Sequence, residues 1–194
     1  MQAPTFSKPR TRQSVATRNM RAIIWMIIFA EAMFFFGLFT SYLFLRWDMP
    51  TWGPPGGQTL DPMLAMLNTV VLLSSIGLMH MAYRAVRSDR QQLFENLLIA
   101  TMFAGVIFIG GQVYEFSTLG FAMSDGAYAS IFFVMIGLHA IHVVIGVLIF
   151  MVVHLRASMG HFHAQHYIPV EMCALYWYFV ALVWIPIVAA FYLV

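Results

Sequence analysis

Five long apolar runs order this chain, at residues 22–45, 62–86, 93–119, 127–155 and 170–193, with short polar links between them. About 20 apolar residues suffice to cross a bilayer as a helix, so each run predicts one span with some tilt. The first link, DMPTWGPPGGQTLDP, holds a Pro-Pro-Gly-Gly core that cannot continue a helix. The others, RSDRQQ, FAMSDG and RASMGHFHAQHYIP, are short as well, which predicts consecutive helices packed as antiparallel neighbours. The expected fold is an all-α polytopic membrane bundle: a basic tail over residues 1–21, then a five-helix domain over 22–194. No internal repeat or low-complexity segment interrupts it.

Composition agrees with the pattern. Hydrophobic residues make up 61% and charged residues 9% of the chain, against about a quarter charged in a soluble domain. Mean hydropathy is +0.80. Cys173 is alone, which excludes a disulfide framework and a thiolate metal cluster within the chain. The net charge of +2 matters less than its placement. Lys8, Arg10, Arg12, Arg18 and Arg21 precede the first run, Arg84, Arg87 and Arg90 surround the second link, and Arg156 begins the fourth link. The remaining two links hold no lysine or arginine. Arg46, the exception, can snorkel to the interface. By the positive-inside rule the N-terminus lies inside and the C-terminus outside. The basic start has no small-residue cleavage site after a short apolar region, so a cytoplasmic tail is expected there and not a signal peptide. Nothing in the charge pattern points to nucleic acid as a partner.

Ionisable residues inside the runs are the candidates for chemistry, since an insertion cost of about 2.5–3.5 kcal/mol for a charge at a helix centre needs a reason. Glu31 lies near the middle of the first run, in FAEAMFFFG. It must be protonated, paired or turned to a polar cavity. A proton relay, an anchor between helices and a plain hydrogen-bonded acid all remain open. His139 and His142, three apart in the fourth run, share one broad helix face. With Glu31 they could be metal ligands or packing histidines bonded across the bundle; the second reading is preferred, and no metal is expected. The fourth link carries Arg156, His161, His163 and His166, close to His154. Such a loop can bind metal, titrate near neutral pH or hold anionic lipid headgroups; lipid is preferred. Gln112 and Glu115 predict ordinary hydrogen bonding near a span end, and His80 with Arg84 an interfacial pair. Gly105, Gly110, Gly111, Gly137 and Gly146 predict close helix packing.

Several segments carry a family resemblance. Residues 124–146, SDGAYASIFFVMIGLHAIHVVIG, resemble the DG-x-Y-x-S-x-FF segment, with its G-x-H-x-x-H-V continuation, of subunit III of haem–copper terminal oxidases. AEAMFF at 30–35 resembles the family's S-E-x-M-F-F, with Ala30 for Ser; LNTVVLLSS resembles N-T-x-x-L-L-x-S; and GVIFIGGQVYEF resembles G-x-x-F-x-x-x-Q-x-x-E-Y. The last run resembles W-Y-W-H-F-V-D-x-V-W, but Leu175, Tyr178 and Ala181 replace its first Trp, its His and its Asp. The match runs from Trp25 to the end and begins at the third helix of the seven-helix form, as in five-helix bacterial forms.

The resemblance implies a non-catalytic subunit of a proton-translocating oxidase that reduces oxygen to water, in a bacterial cytoplasmic membrane. It implies no redox centre in this chain, with haem and copper in partner subunits, chiefly the large catalytic subunit I. It implies that the Glu at 31 borders a lipid-filled cleft and that Arg156 and His161 attend phospholipid headgroups. Two other readings stay open: an accessory protein of nitric oxide reductase from the same family, and an independent proton or metal transporter built on Glu31 and the two histidines.

Overall fold

The computed structural model describes residues 12–57 and 59–193; part of the expected tail lies outside them. Five helices carry the chain: α1 (Arg12–Asp48), α2 (Pro62–Arg87), α3 (Gln91–Thr118), α4 (Ala127–Ser158) and α5 (Ile168–Tyr192). All five are long and apolar enough to cross a membrane, and the described residues contain no strand. Each helix overruns at least one end of the run that predicted it, α1 most of all, beginning at Arg12 and ending at Asp48. Thirty-seven residues at about 1.5 Å rise span roughly 55 Å, so α1 continues beyond the hydrocarbon layer.

The ends are set by local chemistry. Asp61 starts α2: its Oδ1 accepts from the backbone N–H groups of Met63 and Leu64 at 2.9 and 3.2 Å, and Pro62 occupies the first turn, where no N–H is needed. At the end of the bundle bearing most of the arginines, here the basic end, Asp89 turns α2 into α3 with φ of 53°. Its Oδ1 accepts from Ala164 N–H at 2.7 Å, and Gln91 Nε2 donates to the Ala157 carbonyl at 3.0 Å. The α2–α3 turn is thereby clasped to the α4–α5 link.

Helices α2, α3, α4 and α5 pack in a ring, each against the next and α5 back against α2. Trp177 and Trp184 of α5, both fully buried, fill its middle. Their indole N–H groups donate to Ser75 Oγ at 2.8 Å and Thr69 Oγ1 at 2.9 Å on α2. Glycine makes the room: a Cβ at Gly146 would lie 2.8 Å from the Trp177 ring, and one at Gly105 would lie 2.7 Å from Val147. Gly111 is pressed against Asn68, whereas Gly110 and Gly137 face open space, so two of the five glycines expected to pack closely do not.

The expectation of neighbouring consecutive helices holds for α2 to α5 but not for α1 and α2, which do not pack along their lengths. Helix α1 leans on α4 and α5, and only 6% of its most apolar stretch is buried within the chain, against 44% for α5. The cause lies in the first link. Trp52 packs edge-on to Tyr42 of α1 and Tyr128 of α4, which carries the chain across the end of the bundle before α2 begins.

Candidate functional site

The face α1 turns inward reads Arg21, Ile24, Ile28, Glu31, Phe35 and Tyr42, the three-and-four spacing of one helical stripe. Glu31 is its mid-membrane member, and it meets α4. Its Oε2 lies 2.9 Å from His142 Nε2, while His142 Nδ1 lies 2.7 Å from the Leu138 carbonyl. A carbonyl only accepts, so Nδ1 carries a proton and donates it. Nε2 and a carboxylate would otherwise both be acceptors, so the short contact between Glu31 and His142 holds one further proton. Whether drawn as acid and imidazole or as carboxylate and imidazolium, the pair has no net charge. That answers the insertion cost that made Glu31 conspicuous.

The pair sits at a cleft of about 330 Å³ between α1, α4 and α5. Ile24 and Ile27 line it from α1, Ile145 and Ile149 from α4, and Met172 and Tyr176 from α5. Glu31, with 32% of its side chain exposed, opens toward this space, and His142 at 11% is the more enclosed partner. The Tyr176 hydroxyl donates to the His142 carbonyl at 3.1 Å, tying α5 to the same turn of α4. Toward the basic end, Arg21 clamps Glu171 with two bonds of 2.9 and 2.8 Å, joining α1 to α5 one turn beyond Ile24. A slot with apolar walls and polar ends has the form of a site for an alkyl chain. Cys173, buried, also borders it.

His139 does not join this pair. It is fully buried, stacked on Trp184 at 5.1 Å and met edge-on by Phe108 at 5.7 Å, and neither ring nitrogen has a hydrogen-bond partner among the described residues. Phe35 stands edge-on to both histidines. The expected cluster of Glu31, His139, His142, Arg156 and His161 is therefore three places. The last two lie at the basic end: Arg156 sits 5.8 Å over the Phe162 ring, and His161 Nδ1 donates to the Arg156 carbonyl at 3.2 Å. No group of three His, Cys, Asp or Glu residues among those described is arranged to hold a metal ion.

Two contacts were not foreseen from the sequence, while the expected hydrogen bonding of Gln112 and Glu115 is present. Glu171 pairs with Arg21 across 150 positions, a separation at which only tertiary structure selects partners. The Tyr178 hydroxyl shares a hydrogen bond with His80 Nδ1 at 3.3 Å, so the residue standing where the resembling family has His keeps a polar contact, while Ala181 is simply buried. Near the other end Glu115 is buried, with Oε1 accepting from Tyr192 at 2.7 Å and Oε2 from Gln112 Nε2 at 3.3 Å.

A bundle of five helices long and apolar enough to cross a membrane, with a carboxyl–imidazole pair on an apolar cleft, defines a class, the multi-pass membrane proteins. The comparisons specify it further. The family model for cytochrome c oxidase subunit III matches residues 5–194, and the chain belongs to that family. Cytochrome c oxidase subunit 3 of Thermostichus vulcanus is 34% identical over 174 residues, covering 88% of this chain and 86% of that protein. The same subunit of Synechocystis sp. is 36% identical, covering 87% and 72%, and that of Marchantia polymorpha is 35% identical, covering 92% and 69%. The chain is thus a multi-pass membrane protein of the respiratory terminal oxidases.

Proposed function

We propose that the chain serves a respiratory haem–copper oxidase as a non-catalytic subunit, docked on the large subunit that holds haem and copper. There it keeps phospholipid at the catalytic subunit's flank and supports proton uptake by it. The observation that carries this reading is the one-proton Glu31–His142 contact beside an apolar cleft. A pair without net charge next to an alkyl slot suits lipid retention, and the clamp of Arg21 on Glu171 bounds the slot near headgroup level. Arg156 and His161 supply a second headgroup contact at the same basic end.

The arginine asymmetry supports a cytoplasmic N-terminus and an external C-terminus, and the cyanobacterial relatives suit residence in a bacterial cytoplasmic membrane. The relatives' name supports cytochrome c as the electron donor of the complex. That name favours an oxidase over a nitric oxide reductase accessory protein, and nothing in the comparisons favours a transporter. The test of the site is lipid retention. The intact complex carrying Glu31→Leu should lose bound phospholipid during detergent extraction, while Glu31→Gln should keep it. Equal retention by both variants would remove the site from the proposed role.

A further inference from the structure

The arginines of this chain differ in whether the protein itself uses their charge. Arg21 pairs with Glu171, and Arg46 donates to the Tyr42 hydroxyl at 3.2 Å. Arg87 lies 5.5 Å from the Tyr83 ring and 5.3 Å from the Tyr167 ring, and Arg156 covers Phe162. The guanidinium groups of Arg84 and Arg90 have no such partner among the described residues, and these two share a cavity.

That cavity, about 330 Å³, lies at the basic end where α2 passes into α3. Ser88 lies on the turn between the two arginines, and Met81, Leu93 and Leu97 line the apolar part. No carboxylate lines it. Asp89, next in sequence, is turned away to Ala164, and Glu95 accepts from Gln91 Nε2 at 2.7 Å. Arg90 also holds the N-cap position of α3 without a side-chain cap bond, so the positive end of a 28-residue helix adds to the field. The apolar part is open outward, with Met81 54% and Leu93 41% exposed. Met81 precedes Arg84 by one turn on α2, and Leu97 follows Leu93 by one turn on α3. Both therefore step from the polar rim toward the middle of the spans.

We infer that this crease binds the headgroup of an anionic glycerophospholipid. Its phosphate sits between the Arg84 and Arg90 guanidiniums, and one acyl chain lies along Met81, Leu93 and Leu97. Guanidinium meets phosphate with paired N–H donors, which favours arginine at such sites. Basic pockets between transmembrane helices at the cytoplasmic side have this character. A zwitterionic headgroup brings its own ammonium into a rim that already holds two cations and no anion, so the preference is for net negative lipid. The site uses none of the residues of the Glu31 cleft or the Arg156–His161 contact, and stands or falls apart from them.

The test is native mass spectrometry of the intact, detergent-solubilised complex titrated with phosphatidylglycerol or phosphatidylcholine. At roughly a factor of five for each arginine, Arg84→Gln with Arg90→Gln should weaken one phosphatidylglycerol-binding event about twenty-five-fold and leave phosphatidylcholine unchanged. Arg46→Gln, at the other end of α1, should change neither. Arg84→Lys with Arg90→Lys keeps the charge and should keep the preference for phosphatidylglycerol. Should the glutamine pair fail to assemble, the lysine pair carries the test, and its losing that preference overturns the proposal. Undiminished phosphatidylglycerol binding by an assembled glutamine pair overturns it too, as does an equal loss of both lipids.

Discussion

Glu31 shows how far single residues could be read. Its depth in an apolar run demanded a partner, and the partner is a histidine of the fourth run, but the sequence could not choose between His139 and His142. On a helix, positions three apart differ by about 60° in direction, enough for one to face α1 and the other the aromatic centre of the ring. Which does which depends on the rotation of α4, set by Trp177 against Gly146 and Gly105, and no local pattern encodes that. The pair makes a sharp prediction. In Glu31→Gln the amide can still donate to His142 Nε2, so assembly and oxygen consumption by the complex should stay near wild type. Glu31→Leu strands that nitrogen at a cost of about 1–3 kcal/mol, visible as a complex that loses lipid or falls apart sooner in detergent. A glutamine variant that assembles but stops consuming oxygen would show that the proton is passed on, not held. The glycines give a second comparison at this scale. Gly146→Ala must displace the buried Trp177 ring and should cost about 1–3 kcal/mol, read as a lower unfolding temperature in detergent. Gly110→Ala meets open space within a helix and should be neutral or stabilising by about 0.5–1 kcal/mol. A larger loss at Gly110 than at Gly146 would mean that the face of α3 bearing Gly110 is covered by a partner.

At the scale of elements, hydropathy located all five spans but not their ends. A helix continues past the membrane for as long as its backbone bonds are satisfied, whatever the polarity of its side chains, and α1 does so through Arg12–Asp48. The neighbour rule failed at the one link long enough to cross the end of the bundle, where Trp52 found Tyr42 and Tyr128. The Pro-Pro-Gly-Gly signal marked a break there without telling its direction. Helix α1 consequently depends on few contacts: the Glu31–His142 pair, the Arg21–Glu171 clamp and the Tyr42 hydroxyl, which donates to the Ala190 carbonyl at 2.6 Å. A double-mutant cycle on Arg21→Gln and Glu171→Gln, scored by hydrogen exchange of α1, should give a coupling within about 0.2–1 kcal/mol because the arginine is half-exposed. It should shrink as salt is raised. No coupling at low salt would show that α1 is held by lipid or partner alone.

For the molecule as a whole, the placement of arginines predicts an N-terminus inside and a C-terminus outside. Single cysteines introduced near residue 12 and near residue 190, in a Cys173→Ala background, should react with an impermeant reagent from opposite sides of the membrane. Labelling from the same side would break the five-span topology. The apolar surface of α1, with Trp25, Phe29, Phe36, Phe44 and Trp47 exposed, is left uncovered by the rest of the chain, which suits contact with lipid tails or with another subunit. The most direct test is purification of the native complex through an affinity tag on this chain, followed by haem analysis and identification of what comes with it. The account expects a large haem- and copper-bearing subunit that reduces oxygen. Recovery of the chain alone, or with a nitric oxide reductase, would contradict it.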